Sequence, residues 1–79
     1  MILLTMTAID KTIAKMRQNP LGWRIEDLQS VAKRYGVKWR HGGGSHCVFE
    51  APSGASLPVP ARRPIKPVYI KQFLLLLEG

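Results

Sequence analysis

Apolar side chains recur every three or four residues in the first half of the chain, which is the period of an amphipathic helix. The first stripe predicts a helix over residues 7–19 and consists of Ile9, Ile13 and Met16. Thr7 is the expected N-cap, and Pro20 ends the helix because the residue before a proline is forced out of the helical conformation. The second stripe predicts a helix over residues 24–35 and consists of Ile25, Leu28, Val31, Ala32 and Tyr35.

The middle of the chain changes to the two-residue alternation of strands. Residues 37–40 alternate apolar and basic side chains and predict a strand with one positive, solvent-facing side. The glycines at 42–44 are expected to form a hairpin turn into a second strand at 46–50. A third strand is expected at 56–59, and Pro58 inside it favours the edge of a sheet, because proline lacks a backbone N–H.

A final helix is expected over residues 68–77, with Pro67 in its first turn, where a missing N–H is tolerated. The predicted order is therefore α-α-β-β-β-α, without an internal repeat. The chain has 79 residues, which fits a single small domain over 1–79. We expect an α+β fold with a three-stranded antiparallel sheet packed on helices.

The charge balance indicates the kind of partner. Twelve Lys and Arg stand against five Asp and Glu, giving a formal net charge of +7, which suits RNA, DNA or an acidic protein. The single cysteine, Cys47, excludes an internal disulfide and is compatible with a reducing compartment. The apolar runs at the two ends do not have the form of a signal peptide or a bilayer span, so we expect a cytoplasmic protein without a membrane partner.

The segment RHGGGSHCVFEAPSG, residues 40–54, concentrates the candidate chemistry. An esterase with an HGGG oxyanion loop also needs a G-x-S-x-G elbow, and a P-loop needs G-K-[ST] before a helix; the chain has neither. Two histidines and Cys47 lie close together here, but a zinc site usually takes three or four protein ligands, so no metal site is predicted. Binding of an RNA phosphate by the backbone amides of the glycines remains an alternative.

His46 begins the second predicted strand, directly after the glycine turn. Imidazole is the side chain best suited to proton transfer near neutral pH. In metal-free RNA cleavage a base removes the proton of a ribose 2′-OH, which then attacks the adjacent phosphate while nearby cations stabilise the developing charge. His46 is a candidate for that base; the alternative is a polar surface residue. Strand alternation places Cys47 on the opposite side, where a buried thiol is favoured over a nucleophile.

The segments GGSHCVF and LPVPARRPIKPVYIKQFL resemble the HicA family of toxin mRNA interferases, which belong to type II toxin–antitoxin modules. The likeness covers roughly residues 24–77, so residues 1–23 are an N-terminal extension with an added helix. It implies a double-stranded-RNA-binding-domain-like fold. The chain departs from the family pattern in Cys47 and Val48 after Gly-Ser-His, and in the proline-rich, basic ARRPIKP loop.

The resemblance also implies a function. It implies a metal-independent endoribonuclease that cleaves mRNA without a cofactor, with His46 as the catalytic histidine. It implies inhibition by a HicB-type antitoxin protein, and leaves room for an oligomer in that complex. The candidates for RNA contact are Lys38, Arg40, Gly44, Ser45, Arg62, Arg63 and Lys66. The alternative function is a non-catalytic RNA-binding module that uses the same basic surface.

Overall fold

The computed structural model of the protein describes residues 8–41 and 45–78. In these ranges the elements are α1 Ala8–Gln18, α2 Ile25–Arg34, β1 Lys38–Arg40, β2 His46–Glu50, β3 Ser56–Pro60 and α3 Pro67–Leu77. The strands form an antiparallel sheet in the order β1-β2-β3. The predicted α+β class and element order are confirmed, and each described element agrees with its prediction to within one residue at either end. The predicted Thr7 cap and the glycine turn at 42–44 lie outside the described residues.

The first two helices bury the stripes that the sequence indicates. Ile13 and Met16 of α1 are buried, as are three apolar residues of α2: Leu28, Val31 and Ala32. Helix α2 begins after Arg24, whose backbone N–H donates to a carboxylate oxygen of Asp27 at 2.9 Å. That hydrogen bond gives a partner to a backbone N–H at the helix start, where the first N–H groups have no acceptor within the helix.

The assignment of Tyr35 to the buried stripe of α2 is wrong. Tyr35 is 42% exposed and follows the last helical residue. Its backbone N–H still donates to the carbonyl oxygens of Val31 and Ala32 at 3.2 and 3.1 Å, but its ψ of 8° departs from the helical value. Gly36 then takes a φ of +70°, the left-handed conformation that ends helices. The chain therefore turns away at Tyr35, and its ring leaves the helix face that the spacing assigned to it.

The sheet has one apolar face and one polar face. Trp39, Phe49 and Leu57 lie opposite one another across the three strands, on the face that packs against the helices. The ring of Phe49 meets that of Phe73 from α3 edge to face, with centroids 5.1 Å apart, so sheet and helix are joined through an aromatic contact. Since side chains alternate along a strand, the residues between these positions face solvent.

Strand β3 forms an edge of the sheet, as Pro58 predicts. It contains both Pro58 and Pro60, which pair with Val48 and His46 of β2. A proline inside a central strand would remove ladder hydrogen bonds, whereas at an edge one side of the strand needs no partner. In the described part of the chain, no helix combines the length and the apolar character needed to cross a membrane.

Candidate functional site

A cleft of about 290 Å³ opens where the start of β2, the end of β3 and the first turn of α3 meet. Its lining consists of Ser45, His46, Pro60, Arg62, Lys66 and Tyr69. We call it the His46 cleft. It joins an imidazole, two cations, a serine hydroxyl, a proline ring and a phenol ring in one small space, and three separate elements are needed to build it.

Strand alternation fixes the direction of His46. The next residue, Cys47, is fully buried in the core and pairs with Val59 of β3. Because successive side chains point to opposite faces, burial of Cys47 places the imidazole of His46 on the solvent side. His46 pairs with Pro60 at the end of β3, and both residues line the cleft. The buried side chains of β2 therefore hold the strand in place, with the exposed histidine at its start.

Ser45 holds the imidazole and continues the pairing of the strands. Its hydroxyl oxygen lies 3.2 Å from Nδ1 of His46. Its carbonyl oxygen accepts a 2.7 Å hydrogen bond from the backbone N–H of Ala61. The hydroxyl can donate to Nδ1 or accept from it, depending on the tautomer. In both cases Nδ1 is engaged, so proton exchange with a molecule in the cleft falls to Nε2.

The loop at 61–66 carries the two cations of the cleft and is tied to the start of α2. Its Ile65 is buried, and the backbone N–H of Ile65 donates to the carbonyl of Trp23 at 2.8 Å. The guanidinium of Arg63 lies 2.7 Å from a carboxylate oxygen of Glu26. A hydrogen bond from the backbone of Glu26 itself, followed by the charge of Arg63, lowers the pKa of the Glu26 carboxyl. These contacts connect the loop to a rigid element.

Sequence reasoning missed two residues of the cleft, Pro60 and Tyr69, and Tyr69 is the larger of them. Lys66 is the N-cap of α3, and the backbone N–H of Tyr69 donates to its carbonyl oxygen at 3.0 Å. Tyr69 is half-buried: it packs against the hydrophobic core and also lines the cleft. Its three-residue spacing from Lys66 at the start of the predicted helix is the signal that could have found it, since such residues are neighbours on a helix surface.

The structure brings together only part of the predicted set. Ser45, Arg62 and Lys66 share the cleft with His46, whereas Arg63 is paired with Glu26 outside its lining. Gly44 lies outside the described residues. The assignment of each residue to RNA contact stays a prediction, and Arg62 and Lys66 are the predicted cations that line the same cleft as the histidine.

The two basic residues of β1 lie elsewhere. Arg40 faces solvent, with its guanidinium 3.3 Å from a carboxylate oxygen of Glu50. Lys38 pairs with Glu50 in the sheet register, at the end of β2 opposite to His46. At about 3.3 Å per residue, the length of that strand separates Lys38 from the histidine by roughly 13 Å. Neither residue lines the His46 cleft.

Cys47 points into the core, away from the cleft. Burial raises the pKa of its thiol, and a 3.7 Å contact from the side-chain amide of Gln29 opposes that effect. A thiol in this setting is a poor nucleophile, which agrees with the expectation of a buried structural cysteine. Among the described residues, no group of three or more His, Cys, Asp and Glu side chains could hold a metal ion.

The cleft has the components for binding an anion and moving a proton beside it. Arg62 and Lys66 supply positive charge, and His46 supplies an imidazole that can accept or donate a proton. The chain matches no family model, no curated protein and no solved structure. The residues of the cleft are therefore the features of this chain that point to a function.

Proposed function

We propose that this protein is the toxin of a type II toxin–antitoxin module, a metal-independent endoribonuclease that cleaves mRNA with His46. The observation that carries the proposal is the cleft that His46 lines together with Arg62 and Lys66. A polyanion is the ligand that suits two cations on a chain of net charge +7. A histidine at the same place supplies the proton transfer that RNA cleavage needs.

The reaction is a transfer of the phosphodiester to the neighbouring ribose oxygen. His46 removes the proton of the 2′-OH through Nε2, and the 2′ oxygen forms a bond to phosphorus. The bond from phosphorus to the 5′ oxygen of the next nucleotide breaks, and that oxygen takes up a proton from water. The products are a 2′,3′-cyclic phosphate and a 5′-hydroxyl. Arg62 and Lys66 stabilise the extra negative charge on the phosphoryl oxygens in the transition state.

The order of elements supports the family assignment within this proposal. Helix α2, the three strands and α3 follow one another as the HicA resemblance implies, and α1 precedes them. We therefore propose the double-stranded-RNA-binding-domain-like fold for the part from α2 to α3. Helix α1 contributes Ile13 and Met16 to the shared core, so this helix packs as part of the domain. A HicB-type antitoxin that covers the cleft is the proposed inhibitor and partner.

The test is incubation of purified protein with a defined mRNA in the presence of EDTA. We expect cleavage by the wild type, with 2′,3′-cyclic phosphate ends, and loss of at least about 100-fold in rate for His46→Ala, the lower range of general-base contributions. His41→Ala is the matched control, since His41 is exposed but does not line the cleft. Equal rates for wild type and His46→Ala would overturn the catalytic role of His46.

The same variants can be expressed in growing cells. We expect the wild type and His41→Ala to arrest growth and deplete mRNA, and His46→Ala to do neither. If a small protein is encoded beside this reading frame, its co-expression with the wild type is expected to restore growth. A non-catalytic RNA-binding module is the second candidate, because the two cleft cations would bind RNA whether or not His46 moves a proton. It predicts salt-dependent binding of intact RNA and no arrest.

A further inference from the structure

The His46 cleft has an apolar half that proton transfer does not explain. Pro60 and Tyr69 line it beside the charged and polar groups. Tyr69 packs against the hydrophobic core and also lines the cleft, so contacts with the core restrict the motion of its side chain. A ring restricted in this way needs little ordering when a flat ligand binds against it.

The two halves of the cleft match the two halves of a nucleotide. A phosphate needs cations, which Arg62 and Lys66 supply, and a nucleobase needs a flat apolar surface, which Tyr69 supplies. Stacking on an aromatic ring accepts any base, since every base has a π-face. Lys66 and Tyr69 are three residues apart in the first turn of α3, so phosphate and base groups would be met by one rigid element.

We infer that the His46 cleft binds one unpaired nucleotide whose base stacks on Tyr69, so the protein selects single-stranded RNA over duplex RNA. This inference rests on the proposed function for the identity of the ligand as RNA. A volume of about 290 Å³ is small for a ligand pocket, and it suits a single nucleotide unit. In an A-form duplex the bases are stacked on one another and cannot lie against a protein ring.

A cleft for one unpaired nucleotide differs from a surface that recognises the shape of a duplex. A surface that reads double-stranded RNA contacts phosphates and 2′-hydroxyls across about 16 base pairs. The described residues place the histidine, the two cations and the tyrosine in one confined cleft, while Arg40 is engaged by Glu50 on the open sheet face. Unpaired nucleotides in loops and single strands are the form of RNA that can enter such a cleft.

Binding of 2′-O-methyl RNA tests the inference with the wild-type protein, because this RNA lacks the nucleophilic 2′-OH and stays intact. We expect a single strand to bind more tightly than a duplex of the same sequence. Tyr69→Leu is expected to weaken single-strand binding by about 5- to 150-fold, the range for removal of one base–aromatic stack. Tyr69→Phe keeps the ring and should restore most of that binding. Tyr35→Leu is the matched control, since Tyr35 is exposed outside the cleft.

Abasic RNA tests the same contact from the RNA side, and a comparison of two strands with the wild-type protein needs no variant. A strand in which every nucleotide is abasic should bind the wild type more weakly than the same strand with its bases. With Tyr69→Leu that difference should become smaller. Equal affinity for single strand and duplex, with no effect of Tyr69→Leu, would overturn the inference even if His46-dependent cleavage were observed. Tyr69-dependent single-strand binding without cleavage would support it while rejecting the endoribonuclease.

Discussion

The hydroxyl oxygen of Ser45 lies 3.2 Å from Nδ1 of the neighbouring His46, and the carbonyl of the same serine accepts the N–H of Ala61 at 2.7 Å. Ser45 thus links the imidazole to the paired backbone of β2 and β3. Nδ1 is engaged, and Nε2 is the ring nitrogen that remains for exchange with a bound molecule. The orientation of His46 is therefore set by its sequence neighbour.

Replacement of Ser45 by alanine tests this link. A neutral hydrogen bond contributes about 0.5–1.5 kcal/mol, so Ser45→Ala should lower the rate of RNA cleavage by about 2- to 13-fold and leave the fold intact. The pH–rate profile of the variant is compared with that of the wild type, because the Ser45 hydroxyl contacts the ring of the proposed base. Ser53→Ala is the control, since Ser53 lies in the turn at the other end of β2. A cleavage rate and pH profile identical to those of the wild type would contradict the role of Ser45.

The two cations of the cleft should dominate the salt dependence of RNA binding. Neutralising one phosphate of a single strand contributes about 0.7 to the slope of log K against log salt, so removing the cation responsible should lower the slope by that amount. We expect this effect for Arg62→Ala and for Lys66→Ala, each measured with 2′-O-methyl RNA. Lys15→Ala, on the exposed side of α1, serves as the control and should leave the slope unchanged. Unchanged slopes for both cleft variants would show that the phosphates bind elsewhere.

The elements of the fold follow from the sequence because their signals are local. Strand β2 has the predicted bounds, and the alternation of buried Cys47 and Phe49 with more exposed neighbours leaves one register with a buried apolar face. Pro67 marks the start of α3 for an equally local reason. Tyr35 fits the apolar spacing of α2 but lies one residue beyond the end of that helix, where the spacing no longer determines the direction of a side chain. The error lies at an element boundary.

The residues that line the cleft are harder to predict from the sequence, because they depend on which ends of the strands and helices meet in the fold. Lys38 and Arg40 are close to His46 in sequence, yet the antiparallel register sets Lys38 opposite Glu50 at the far end of β2. Tyr69 is 23 positions after His46 and joins it only because α3 begins beside the end of β3. Its half-burial also reflects packing of α3 against the sheet. Helical spacing relates Tyr69 to Lys66, but it does not show that α3 begins beside the end of β3.

Phe49 should be a main source of stability, because its ring contacts both Trp39 and Phe73, with centroids 6.3 and 5.1 Å away. An aromatic pair adds about 0.5–1.5 kcal/mol beyond burial, so Phe49→Leu should lower the free energy of unfolding by about 1–3 kcal/mol in urea titrations. Val48→Thr changes the opposite face of the same strand and is the control, with an expected change within about 0.5 kcal/mol. A larger loss for Val48→Thr would contradict the assignment of the two sheet faces.

Acid should destabilise the protein in part through Glu26. The pKa of its carboxyl is lowered in the folded state, so the unfolded chain takes up a proton at a higher pH than the folded one. The resulting stability is present above the ordinary pKa of glutamate, about 4.3, and is lost as the pH falls through the lowered folded value. Glu26→Gln should therefore flatten the acid limb of the curve of unfolding free energy against pH, measured by urea titration from neutral pH downward.

A second variant identifies the cause of this pH dependence. The main cause of the lowered pKa is a hydrogen bond from the backbone of Glu26, and the charge of Arg63 comes after it. Both side chains of the ion pair are more than half exposed, at 64% for Arg63 and 55% for Glu26, so solvent weakens their attraction. Arg63→Gln should accordingly keep most of the acid dependence that Glu26→Gln removes. If Arg63→Gln abolished the dependence as fully as Glu26→Gln, the ion pair would be the cause, and the backbone hydrogen bond would be secondary.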